Sequence, residues 1–213
     1  MRVISLELGP FAARCVVLVD EATSCAAVVD PGFEAEQVVA RVHREGLDVT
    51  GIVLTHGHID HACGANVVRD AFPSAPILIH PADLPLLHNL PEQAAMFGLA
   101  DLAPVREDGL LADGQELPLG DATLLVRHCP GHSPGHVVMI HRDATEPLAV
   151  VGDVLFAGSV GRTDLWGGSF PQLERSIREV LYRLPGHTRV VPGHGSDTTI
   201  AAEMAGNPFV AVD

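Results

Sequence analysis

Apolar positions along the first thirty residues come in short runs broken by turn formers. The stretches "RVISLEL" (2–8), "RCVVLVD" (14–20) and "CAAVVDPG" (25–32) are rich in valine and closed by Gly, Pro or Asp, a pattern that predicts three strands. The period then changes. In "EAEQVVARVHREG" (34–46) Val38, Val39 and Val42 fall at helical spacing and a glycine ends the run, so a helix is expected. "DVTGIVLTH" (48–56) returns to a short apolar run, "ACGANVVRDAF" (62–72) reads as a helix stopped by "PSAP", and "ILIH" (77–80) as another strand. The stretch 81–112 is less regular and predicts short helices and loops, with a lid or an interface as its two possible roles. Strand patterns follow at "QELPLG" (115–120), "ATLLVRHCPG" (122–131), "HVVMIHR" (136–142) and "PLAVVGD" (147–153). A longer helix is expected over "FPQLERSIREVLYRL" (170–184), a last strand at "TRVVPGHG" (188–195) and a terminal helix near "TTIAAEMA" (198–205). No fixed-period repeat or linker interrupts this alternation, which predicts one α/β domain spanning residues 1–213.

Composition narrows the class. A chain of 213 residues, 47% hydrophobic and 19% charged, can bury a sizeable core. Its formal net charge of −14 and the lack of a Lys/Arg run exclude nucleic-acid phosphates as partners and argue against anionic membranes. The four cysteines (15, 25, 63 and 129) show no CxxC spacing and read as small buried hydrophobes. No secretion signal or membrane-length apolar run is evident, so a cytoplasmic protein acting on a small molecule is expected.

The chemistry concentrates in "LTHGHIDHACG" (54–64), where His56, His58, Asp60 and His61 crowd a turn that follows a strand. Neutral imidazoles and a carboxylate together suit Zn²⁺, Fe²⁺ or Mn²⁺. Further donors follow three other strands: His132 in "CPGHSPGH", Asp153 in "AVVGDVLF" and His194 in "VVPGHG". Four strand ends thus carry five histidines and two carboxylates, and a carboxylate can bridge a pair of cations about 3.5–4 Å apart. The other seven histidines read as structural or surface residues, His136 as a turn residue or an orienter of a ligand.

Taken in order, "THGHIDH", "PGHSPGH", "GDVLF" and "PGHG" resemble the metallo-β-lactamase-fold hydrolases over nearly the whole chain. The resemblance implies a four-layer αββα sandwich: two mixed sheets packed face to face, helices outside, and a metal site at one edge between the sheets. It implies two divalent ions, zinc first, with His56, His58 and His132 on one and Asp60, His61 and His194 on the other. Asp153 would be the bridge and Asp60 a residue that also orients the nucleophile, which makes these two the expected catalytic carboxylates. The implied chemistry is attack on a carbonyl by hydroxide generated at the metals. Within the family, "GDVLFAGSVGRTDLWGGSFPQL" (152–173) is similar to bacterial glyoxalase II, a thioesterase acting on substrates such as S-lactoylglutathione. The segment "GRTD" (161–164) is also similar to the mononuclear-iron persulfide dioxygenases, and the ligand set fits lactonases and other ester hydrolases as well. With 19 residues after His194, the chain resembles the short, single-domain type without the C-terminal helical extension that helps longer enzymes bind glutathione. Arg162 is a candidate for a substrate carboxylate, its alternative being a salt bridge to a neighbouring acid such as Asp164. Cys63 reads as a packing residue, since hydroxide generated at metals needs no thiol nucleophile.

Overall fold

A computed structural model describes residues 1–99 and 102–212, and the chain divides into two compact units. The reading of 81–112 as short helices and loops therefore has Ala100 and Asp101 outside the described residues.

The first unit comprises residues 1–111 and 118–122. Its sheet runs in the order β1 (Arg2–Leu8), β2 (Ala13–Val19), β3 (Cys25–Val29), β4 (Asp48–Val53), β5 (Ile77–Ile79) and β6 (Gly109–Leu110). β1, β2 and β3 pair antiparallel, as short turns permit. From β3 onward every pairing is parallel, so each connection has to cross over. The crossovers are α1 (Ala35–Glu45), then α2 (Ile59–Ala62) with α3 (Ala65–Ala71), then α4 (Leu84–His88) with α5 (Leu90–Met96). Cys15, Val17 and Val19 of β2 share one core with Val38 and Val42 of α1 and Val68 of α3. Each such valine, fully buried, contributes roughly 1.5–3 kcal/mol.

The single helix expected over 62–72 is broken at Cys63–Gly64. The Gly64 N–H donates to the Pro31 carbonyl (2.9 Å) instead of to a helical partner. The approach is so close that a Cβ on Gly64 would lie 2.1 Å from the Gly32 carbonyl oxygen.

The second unit comprises residues 112–117 and 123–212 of the described chain. The second six-stranded sheet contains β7 (Glu116–Leu119), β8 (Ala122–His128), β9 (Val137–His141), β10 (Leu148–Gly152), β13 (Arg189–Pro192) and β14 (Thr198–Thr199), in the order β14-β13-β10-β9-β8-β7. A two-stranded hairpin, β11 (Leu155–Phe156) with β12 (Ser159–Val160), follows β10. The helices are α6 (Phe170–Glu179) and α7 (Ile200–Gly206). Leu173 and Ile177 of α6, Ile200 of α7 and Val138, Ile140, Ala149 and Val151 of the sheet form this unit's own core.

The helix expected over 170–184 ends at Glu179 and tightens into a 3₁₀ turn at Leu181–Arg183. Pro185 explains the stop, since the residue before a proline is driven from the helical region, and Leu184 is extended (φ −75°, ψ 157°). The terminal helix starts at Ile200, with the Thr199 hydroxyl accepting the Ala202 N–H (3.3 Å), while Thr198 and Thr199 pair with β13. Two large mixed sheets with helices are the elements that the four motifs lead us to expect. Among the described residues no helix is long and apolar enough to cross a membrane.

Candidate metal centre

In the first unit the polar residues gather at the carboxyl ends of three neighbouring parallel strands: Asp30 after β3, Thr55 and His56 after β4, Asp83 after β5. This is where open parallel sheets bind ligands. His56 and His61 are fully buried, whereas His58 and Asp60 are partly open. The imidazole centroids of His56 and His58 are 4.8 Å apart, those of His56 and His61 4.4 Å. The Asp60 carboxylate stands 3.6 Å from Nε2 of His61.

Asp30, which sequence reasoning passed over as a strand terminator, sets the orientation of two of these rings. Its carboxylate accepts the Thr55 backbone N–H (2.7 Å), the Thr55 hydroxyl (2.6 Å) and Nδ1–H of His61 (3.2 Å). With its proton committed to Asp30, the Thr55 hydroxyl accepts from Nδ1 of His56 (3.0 Å). Both imidazoles therefore carry their proton on Nδ1 and offer the Nε2 lone pair, the tautomer a metal ligand needs. The signal available in sequence was an aspartate at the end of a buried strand, one adjacent strand over from the histidine turn.

The irregular 81–112 stretch supplies the clamp on this turn. The buried Asp83 accepts the Gly57 N–H (3.0 Å). Gln93 of α5 accepts the Ile59 N–H (3.0 Å) and donates to the carbonyls of Gly57 (3.1 Å) and Leu86 (2.9 Å). His58 thus sits between two residues whose backbones are tied to one side-chain amide.

In the second unit β8 and β10 both pair antiparallel with β9, and β10 is parallel to β13. The three strands point the same way, so His132, Asp153 and His194 leave the same end of the sheet. Oδ2 of Asp153 lies 3.7 Å from Nε2 of His132 and 3.6 Å from Nε2 of His194. These separations exceed a hydrogen bond. They match two ligands on one cation, because metal–ligand bonds of about 2.1 Å at a tetrahedral angle put donors roughly 3.4 Å apart. His132 donates from Nδ1 to the Arg162 carbonyl (2.8 Å), which again leaves Nε2 for a metal. His136 is buried and its Nε2 accepts the Asp153 N–H (3.0 Å), so it orients the carboxylate segment. The donor types, tautomers and spacings in both units fit divalent cations.

Arg162 forks onto Asp164 with two bonds of 2.7 Å, and both side chains are exposed. The pair holds the Asp164 carboxyl down at about 2. Cys63 is buried, and burial followed by the nearby Asp60 charge pushes its thiol up to about 12, which fits packing rather than nucleophilic chemistry.

Two mixed sheets with imidazoles and carboxylates collected at their strand ends define a metallo-hydrolase. The model of the metallo-beta-lactamase superfamily matches residues 8–194, and the chain belongs to that superfamily. It is similar to the hydroxyacylglutathione hydrolase GloC of Haemophilus influenzae, 35% identical over 211 residues that cover 99% of this chain and 98% of the relative. Among solved structures it is similar to the B3 metallo-beta-lactamase BLEG-1, at a TM-score of 0.89 and 37% identity over 98% of this chain and 99% of that one. It is also similar to TTHA1623 in a di-iron-bound form, at a TM-score of 0.86 and 36% identity over 97% of this chain and 100% of that one. The family expected from the four motifs is thus the family found, while relatives of comparable similarity carry different named activities and one of them holds iron.

Proposed function

We propose that this metallo-hydrolase is a thioesterase of the glyoxalase II type, cleaving S-2-hydroxyacylglutathione or a related small thioester. In this reading the seven imidazole and carboxylate donors named from the motifs serve two divalent cations. His56, His58 and His132 would hold one divalent cation, Asp60, His61 and His194 the other, and Asp153 would be shared by both. The observation that carries the reading is the Asp153 oxygen flanked by two imidazole Nε2 atoms at 3.6 and 3.7 Å, the arrangement of a shared carboxylate. Its similarity to GloC supports the substrate class. Cations in such a set lower the pKa of water to near 7 and polarise a carbonyl. The chain's own residues do the rest. Asp30, Thr55 and the Arg162 carbonyl hold the imidazoles in one tautomer, Asp83 and Gln93 fix the turn between them, and Asp60 accepts and orients a proton at its open carboxylate. A substrate carboxylate reaches the Arg162 guanidinium only by displacing Asp164 from it.

The test is metal analysis of the purified protein followed by S-lactoylglutathione turnover under nitrogen. Two divalent ions per chain and oxygen-independent turnover are expected, both lost in Asp153→Ala. One metal or fewer together with no thioesterase activity sinks the proposal, and full turnover by Asp153→Ala sinks the bridge. The "GRTD" segment favours a second reading, a single-iron persulfide dioxygenase, which predicts oxygen consumption with a glutathione persulfide instead.

A further inference from the structure

An exposed aromatic arc in the first unit runs between two segments that touch the backbone of the ligand turn on either side, at Gly57 and Ile59 and at Asp60. On the His58 side, Gln93 of α5 bonds to Gly57 and Ile59, and Met96 and Phe97 stand three and four residues further on, the same helix face one turn along. On the Asp60 side, Gly32 packs so closely on the Asp60 carbonyl oxygen that a Cβ there would lie 1.8 Å away, and Phe33 is the next residue. Phe11, in the turn between β1 and β2, connects the two. Its ring is edge-on to Phe97 at a centroid distance of 5.0 Å and tilted to Phe33 at 5.8 Å. Phe97 is 55% exposed, Met96 84% and Phe11 37%. Isolated surface hydrophobics need no explanation, but contiguous ones mark a binding surface. Three aromatic or thioether side chains left in water forgo the free energy of their burial.

We infer that this arc receives the acyl substituent of the substrate, and that the preferred acyl group is apolar, of the aryl or bulky aliphatic class, and not the small lactoyl group. The inference rests on the thioesterase reading above. The thiol side of a glutathione thioester carries two carboxylates and an ammonium and gains nothing from phenyl rings, so the apolar arc complements the acyl side. Phe97 and Phe11 are then the residues that set acyl specificity.

The test compares S-mandeloylglutathione with S-lactoylglutathione, which share thiol and hydroxyl and differ by phenyl against methyl. The metal-loaded enzyme is expected to favour the phenyl substrate in kcat/KM on the order of tenfold. Phe97→Ser and Phe11→Ser are expected to bring that ratio close to one with metal content unchanged, whereas Phe209→Ser, an exposed phenylalanine of the second unit, leaves the ratio as it was. A wild-type ratio near one, or a ratio that survives both arc variants, overturns the inference. If neither thioester is cleaved, the thioesterase reading fails by itself, and the arc is then judged by calorimetric binding of S-benzylglutathione against S-methylglutathione. Tighter binding of the benzyl thioether that Phe97→Ser abolishes sustains the apolar arc, and equal binding refutes it.

Discussion

Asp30→Ala removes the residue on which the first unit's ligand turn hangs, and its cost can be worked from the contacts. Three donors lose their acceptor: the Thr55 N–H, the Thr55 hydroxyl and Nδ1–H of His61, at 2.7, 2.6 and 3.2 Å. Thr55 and His61 are fully buried, so water does not replace the carboxylate. Each orphaned buried donor costs about 1–3 kcal/mol. Asp30 also holds φ 53°, a left-handed conformation that aspartate tolerates and alanine resists by roughly 1–2 kcal/mol. The sum is on the order of 5 kcal/mol, a large share of the roughly 5–15 kcal/mol that separates folded from unfolded domains. For a chain of this size that corresponds to a drop in melting temperature of about 10–20 °C. Asp30→Asn keeps the left-handed residue and one acceptor oxygen but turns an amide toward a donor, and falls between wild type and alanine. Circular dichroism melts of the metal-free protein measure the stability term. Metal titration measures the orientation term, expected to weaken binding about 10- to 100-fold. If Asp30→Ala melts within about 3 °C of wild type, a shift of roughly 1 kcal/mol on the same scale, and takes up metal unchanged, the network is not what holds the turn.

Other outcomes follow from the same physical account. Gly64→Ala forces a methyl group to within 2.1 Å of the Gly32 carbonyl, so soluble expression and melting temperature should fall sharply, and a wild-type melt would show that the loops separate at no cost. Tyr182 is the only tyrosine, and burial first, then the charge of Glu203, push its phenol from 10.0 up to about 12. The folded state therefore holds that proton more tightly than the unfolded one. The associated stability is whole below pH 10 and is lost as pH rises toward 12. Absorbance at 295 nm should titrate near 12 in native protein and near 10 in denaturant, and a native midpoint near 10 would contradict the burial argument. Burial likewise raises the thiols of Cys15, Cys63 and Cys129, whereas Cys25 is only half-buried. A disulfide reagent at pH 8 should titrate one thiol in native protein and four after denaturation, and rapid reaction of a second would show the core opening.

Legibility followed how local the cause was. Strand and helix periodicity and the place of imidazoles and carboxylates after strand ends could be read along the chain, since alternation and turn chemistry act over a few residues. The break at Gly64 could not, because the carbonyl that interrupts the helix belongs to Pro31, more than thirty positions earlier. The paired segments β6, β11, β12 and β14 span two residues each and carry no period of their own. They are strands only because a partner lies alongside.

The same division holds for the site. Residue type alone determined that the chain offers imidazole and carboxylate donors at strand ends, and the ordered motifs that carry them identified the superfamily. Tertiary structure decided which nitrogen each imidazole presents, through Asp30, Thr55 and the Arg162 carbonyl, and it turned the featureless 81–112 stretch into the clamp of Asp83 and Gln93. A hydrogen bond between residues 26 or 31 positions apart depends on how strands stack side by side in a sheet. That register is a property of the packed chain, and no short window of sequence contains it.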